Sequence, residues 1–268
     1  MATSNPSNDE VAHSSSAQDN TNPPSYDNIR LTTDAKRLFW TVNGPLSDSI
    51  WVMPGPYYDP GASLEPYFRQ GEAGEELHPV SQSPLTEDKI KAATVSVHAL
   101  DDWENVWCDY HCLECWGWEG PGVAPDDDEN WVLFGTIPGR EPEHPDFPGK
   151  EHLLRCCGVD RPLNKDPKLV VEATGEFLTI HDFVSAVHPW LMGLRDDILK
   201  ASSLHPQGTE SWPPETKLMV GSPRPGSLSV MTEEDWRWYR KKHPLHDKLV
   251  NGTWQRDDSR PIGWVSLV

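Results

Sequence analysis

The sequence predicts an α+β fold: a mainly antiparallel sheet packed by one long helix. Three observations carry this. Val95, Val97 and Ala99 alternate with Thr94, Ser96 and His98, the period of a strand with one buried face. Ile180, Phe183, Val184, Val187, Leu191, Leu194 and Ile198 recur at spacings of three and four, the stripe of an amphipathic helix. Twenty-six prolines and nineteen glycines divide the remaining chain into short elements joined by turns.

In chain order, residues 1–30 are rich in Ser, Asn, Asp and Pro and nearly free of aliphatic side chains. Such a segment buries too little apolar surface to offset the entropy of ordering, and it reads as a disordered arm. Residues 31–92 form an irregular, Pro- and Gly-rich lead-in. Within it 38–40 and 50–53 read as short strands, and 55–84 as turn-forming chain without regular structure.

The α+β core is expected over 93–245. After its first strand, Asp101 or Asp102 is placed to cap a short helix carrying Trp103 and Trp107. The stretches 131–136, 152–157 and 168–174 read as further strands between proline-bearing loops. Thr179 and Asp182 make a capping box with Asp in the usual Glu position, and Leu178 with Phe183 makes a hydrophobic staple. Pro189 removes one backbone donor, so the helix over 179–201 is expected to kink there or to end and restart. The stretches 218–220 and 228–230 read as a hairpin around Pro223-Arg224-Pro225-Gly226. Thr232 with Asp235 caps a short final helix through Trp236 and Tyr239, and 246–268 reads as an irregular tail.

The formal net charge is -19, which repels a phosphate backbone, so nucleic acid is not an expected partner. Arg237, Arg240, Lys241 and Lys242 form the one basic cluster. With Glu233, Glu234 and Asp235 before them, they fit the two charged ends of a helix. Mean hydropathy is -0.62 and no run of about 18 apolar residues occurs, so no membrane span is expected. The first twenty residues lack the basic and apolar regions of a signal peptide. This places the chain in the cytoplasm or nucleus. In that reducing setting five cysteines are expected as free thiols or metal ligands.

The densest chemistry lies over 101–120, which holds four of the thirteen tryptophans and three of the five cysteines. Cys108, Cys112 and Cys115 fall at i, i+4 and i+7, on one helical face with His111 beside them. Zinc takes four thiolate or imidazole ligands in a tetrahedron, which one straight helix cannot supply. Cys156 or Cys157 would have to complete the set, and only one of them, because strand neighbours point to opposite faces. The set carried forward is Cys108, Cys112, Cys115 and Cys156. The other reading treats these cysteines as small buried hydrophobes, and it is the preferred one. The same CxxxCxxC spacing resembles that of radical S-adenosylmethionine enzymes. That resemblance stops at spacing, because Glu114 stands where the family has an aromatic residue and no βα repeat follows. A nucleophilic cysteine served by His98, His111, His144 or His152 is disfavoured, since acidic surroundings raise a thiol's pKa.

His181, Asp182, His188, Asp196 and Asp197 cluster in the long helix and are read as capping and solvated residues, without catalytic roles. No GxSxG, P-loop, GxGxxG or HExxH motif occurs. Trp103, Trp107, Trp131 and Trp190 sit in predicted elements and are assigned to the core. Trp116, Trp118, Trp212, Trp254 and Trp264 sit in loops and are the candidates for exposure. Pro23-Pro24-Ser25-Tyr26 matches PPxY, the ligand of WW domains, and a polyproline II turn costs little entropy to dock on an aromatic groove. The expected partner contacts are Pro23, Pro24 and Tyr26.

The segment HDFVSAVHPWL within 172–199, with DDWENVW upstream and ETKLMV downstream, resembles an uncharacterised family from filamentous ascomycete fungi. The resemblance spans roughly 93–240 and implies an origin, with no activity or site residues. The function expected from the sequence is therefore non-enzymatic binding, with a zinc-binding or enzymatic domain on the cysteine cluster as the alternative.

Overall fold

The computed structural model describes residues 29–71, 74–111, 131–133, 151–156, 159–163, 166–203, 212–241, 247–250 and 253–256. Strand β1 (Leu38–Trp40) pairs antiparallel with β2 (Ile50–Val52), and β3 (Glu65–Pro66) adds to the far side of β2. A single turn of helix, α1 (Leu46–Ser49), fills the β1–β2 connection after Gly44. Gly44 has φ 85°, a left-handed value that glycine adopts without a Cβ penalty.

The stretch 55–84 departs from expectation. Strands β4 (Phe68–Gly71) and β5 (Gly74–Leu77) pair antiparallel, and Pro79–Gln82 forms a 3-10 turn. Phe68 stands opposite Leu77, and both pack against the core. The polar residues between them, Arg69, Gln70, Glu75 and Glu76, hide this pair from a hydrophobicity pattern.

Strand β6 (Ala92–Val97) is the centre of the principal sheet. It continues directly into α2 (His98–Asp101), which is followed by α3 (Trp103–Tyr110). Asp102 lies between the two helices in helical geometry and caps neither with its side chain, contrary to expectation. Its backbone N–H donates to the His98 carbonyl, and its carboxylate takes the Asn105 amide at 3.1 Å.

Strands β7 (Trp131–Leu133) and β8 (Glu151–Leu153) pair antiparallel, as do β9 (Arg155–Cys156) and β10 (Val159–Asp160). The strand expected over 152–157 is thus divided at Leu154 between two ladders. Strand β11 (Leu169–Glu172) runs antiparallel to β6.

Helix α4 (Ile180–Ser203) runs unbroken through Pro189, so the expected restart at that proline does not occur. Ile180, Phe183, Val184, Val187, Leu191 and Ile198 are all fully buried. Each such side chain stabilises by roughly 1.5–3 kcal/mol, so the stripe outweighs the roughly 3 kcal/mol cost of an internal proline. Pro189 itself lies on the exposed side.

Strand β12 (Leu218–Val220) was expected to pair across the Pro223–Gly226 turn. Instead β13 (Gly226–Leu228) leaves to run parallel with β6, and β14 (Val230–Thr232) pairs with β12. Gly226, at φ 90°, redirects the chain, and Ser229 separates the two strands. Helix α5 (Glu233–Arg240) follows β14 without a loop. Strands β15 (Asp247–Val250) and β16 (Thr253–Arg256) form an antiparallel pair inside the tail that was expected to be irregular. The Asn251-Gly252 dipeptide between them is the usual sequence signal for such a hairpin. Among the described strands, every pairing except β13–β6 is antiparallel.

One core joins these parts. Leu31, Trp40, Val42, Val52, Tyr67 and Leu85 from the lead-in pack with Val95, Val97, Leu228 and the buried stripe of α4. A smaller cluster of Phe39, Met53, Met219 and Trp236 forms beneath α5.

Candidate functional site

Of the predicted metal ligands, Cys108 lies half-buried on α3 and Cys156 lies buried on β9. Cys112, Cys115 and Cys157 fall outside the described residues, as do Pro23, Pro24 and Tyr26. Among the described residues, no group of three or more His, Cys, Asp or Glu side chains is placed to hold a metal ion. The two elements that carry Cys108 and Cys156 are nevertheless tied together. Arg161 Nε donates to Glu104 Oε1 at 2.7 Å, and both side chains are largely sequestered from solvent. Glu104 is one turn before Cys108, and Arg161 directly follows β10, the partner of β9. His111, at the end of α3, is buried with its ring 4.5 Å from that of Trp107, and burial holds its pKa below the ordinary imidazole value. Trp103 and Trp107 are buried as expected, and among the described residues their indole N–H groups meet no acceptor.

The long helix carries two histidines in different settings. His188 is buried; its Nδ1 accepts the Trp40 indole N–H at 3.1 Å, and its Nε2 donates to the Gly44 carbonyl at 2.9 Å. The donor on one side and the acceptor on the other fix the neutral Nε2–H tautomer. Burial lowers its pKa, and the Gly44 carbonyl only partly opposes this. His181 stands one turn from Ser185, whose Oγ is 3.3 Å from Nε2, while the Tyr67 hydroxyl is 3.4 Å from Nδ1. Tyr67 is fully buried, so desolvation, aided by the Asp182 charge, raises its phenol well above the ordinary value and keeps it neutral.

Asp182 is spent on the capping box. Its N–H donates to Thr179 Oγ1 at 3.0 Å, and its Oδ2 accepts the Thr179 N–H at 3.0 Å. Thr174 Oγ1 donates to its other oxygen at 2.8 Å. Burial pushes this carboxyl up, and the hydrogen bonds from Thr179 and Thr174 outweigh it and hold the pKa low. His78 is likewise structural: its Nδ1 accepts the Val80 N–H at 3.2 Å, and Nε2 faces Glu65 at 3.2 Å. Burial and the Arg69 guanidinium depress its pKa against the pull of Glu65.

Of the loop tryptophans that were candidates for exposure, Trp212 is half-buried against the core, and the side chains of Trp116, Trp118, Trp254 and Trp264 lie outside the described residues. Among the described residues, the most exposed large aromatics are on α5: Trp238 at 60% and Tyr239 at 51%, edge to face at 5.1 Å, while Tyr57 in the loop between β2 and β3 is exposed to 38%. Two residues earlier, Trp236 is fully buried and donates its indole N–H to the Val220 carbonyl at 2.9 Å. Phe39 and Tyr58 meet its ring edge-on at 4.9 and 5.5 Å. The signal for this split was present in the spacing: residues two apart on a helix point to nearly opposite sides, so Trp236 and Trp238 cannot share a core.

No family model, curated protein or solved structure matches this chain. Among the described residues, no helix is long and apolar enough to cross a membrane.

Proposed function

We propose that this protein acts by binding, as an interaction protein that recruits a WW-domain partner through Pro23, Pro24 and Tyr26. The observation that carries this reading is the Pro23-Pro24-Ser25-Tyr26 motif, which ends five residues before Leu31, the first core residue among those described. The proline pair presets the turn, and the tyrosine supplies an amphipathic anchor for an aromatic groove. Support also comes from how the folded residues use their polar chemistry: His188, His78 and Asp182 are each engaged in joining elements or capping them. The test is binding of the full chain to a purified WW domain, read by fluorescence anisotropy. Loss of binding in Tyr26→Ala supports the reading, and unchanged binding overturns it.

The alternative, a zinc-binding or enzymatic domain on Cys108, Cys112, Cys115 and Cys156, draws support from the Glu104–Arg161 ion pair. That pair tethers the helix of Cys108 to the hairpin of Cys156. One equivalent of zinc in the purified protein, absent from Cys112→Ser, would establish it.

A further inference from the structure

We propose that the exposed face of α5, built from Trp238, Tyr239, Glu234 and Asp235, is a docking surface for an Arg- and Lys-bearing segment of a partner protein. The inference rests on the reading of this chain as an interaction protein but uses a surface separate from the PPxY motif.

The charges of α5 divide into those already engaged and those presented outward. Arg237 donates to Glu233 Oε1 at 2.6 Å and lies over the Tyr58 ring. Lys217 stands 3.5 Å from the same glutamate. Arg240 reaches inward to the carbonyls of Lys36 and Pro56 and lies over Trp236. Lys241, at the C-cap, is exposed, and its backbone is bridged to Tyr58 at the far end of the helix. Glu234 and Asp235 are exposed, and each sits four residues before one of the exposed aromatics. That spacing sets Glu234 beside Trp238 and Asp235 beside Tyr239. Asp235 uses one oxygen to take the Thr232 hydroxyl at 2.7 Å, and among the described residues no cation pairs with Glu234 or Asp235.

An aromatic face beside a carboxylate is the chemistry that binds guanidinium and ammonium groups. The ring quadrupole attracts the cation and the carboxylate pairs with it. The net charge of -19 steers cationic segments toward the protein and repels a second copy, a nucleic acid or an anionic membrane. The platform is also held in place before binding. Thr232 caps α5, and the buried Trp236 anchors it through Val220, so little ordering remains when a partner docks.

The experiment uses the full chain and a fluorescent arginine-rich peptide at about 150 mM salt, where nonspecific attraction between exposed charges is largely screened. Trp238→Ala combined with Tyr239→Ala leaves net charge unchanged and is expected to weaken binding about tenfold, the scale of a lost interface anchor. Glu234→Gln weakens it less, and Glu172→Gln, an equal charge change on exposed β11, leaves it unaltered. Equal weakening by the two glutamine variants, or none by the aromatic pair, would mean a general polyanion effect and overturn the proposal. So would capture by anionic vesicles, or self-association lost in the aromatic variant. The thermal transition of that variant reports its folding, and Trp238→Gln provides a second route if it is impaired. WW-domain binding persists in the aromatic variants and peptide binding persists in Tyr26→Ala, so the two readings fail separately.

Discussion

Trp40 and His188, separated by 148 positions in the chain, are joined by a buried hydrogen bond of 3.1 Å from the indole N–H to Nδ1. The second ring nitrogen donates to the Gly44 carbonyl, so one imidazole fastens the middle of α4 to β1 and to the turn that follows it. Gly44 presents that carbonyl from a left-handed backbone. A histidine that the sequence places beside a helix-internal proline thus serves as a buried polar link between two parts of the core.

Replacing His188 by Leu removes both bonds and leaves the Trp40 N–H unsatisfied in the interior, whereas Gly44 is exposed and its carbonyl can turn to water. An unsatisfied buried group costs about 1–3 kcal/mol. The urea midpoint is expected to fall accordingly, and a variant as stable as the parent would show that a shifted backbone or an entering water satisfies the indole.

Acid should destabilise the fold through this histidine. The native pKa of His188 lies below its ordinary value of 6.5, so below about pH 6.5 the unfolded chain binds protons that the native state does not. Its contribution to stability is complete above that pH and declines as pH drops toward the native pKa. His78 and His111 act in the same sense. Acidification also relaxes the net negative charge, so the comparison must be differential. Denaturation from about pH 8 to 5 is predicted to show a smaller acid loss in His188→Leu than in the parent.

The capping box of α4 yields a local test. Thr179→Ala removes the acceptor of the Asp182 N–H and a donor to its carboxylate, and is expected to cost about 1–2 kcal/mol in thermal unfolding. Thr179→Ser restores most of the loss, because the hydroxyl and not the methyl makes these bonds.

Trp236 and Trp238 should differ sharply despite their proximity. Trp236→Ala empties a site closed by Phe39, Tyr58 and Met219 and is expected to cost about 3–5 kcal/mol. Trp238→Ala, on the solvent side, is expected to stay within about 0.5 kcal/mol. Comparable losses in chemical denaturation would contradict this division of α5.

The cysteines are tested by metal analysis. With the thiols acting as small buried hydrophobes, purified protein carries no stoichiometric zinc, and Cys156→Ala behaves as a core truncation unaffected by chelator. Zinc retained through dialysis and released by a chelator together with unfolding would favour the tetrahedral site.

Local patterns in the sequence determined the local elements. The three- and four-residue recurrence from Ile180 to Ile198 specified α4 and its buried face, and the Thr179/Asp182 and Thr232/Asp235 pairs specified two helix starts, because capping and amphipathicity act within a turn or two. The alternation around Val95 specified β6 and the face it buries. Partner choice was decided by tertiary structure. Neither the parallel β13–β6 pairing nor the β12–β14 ladder is encoded in a window of neighbouring residues, since a strand's own pattern fixes its face but not which edge it joins. The same holds for His188, whose role depends on Trp40 and Gly44 arriving from the other end of the chain. The exposed Trp238 was legible in principle from its two-residue offset to Trp236, but which of the two tryptophans faced inward was settled by the space between β1 and β12.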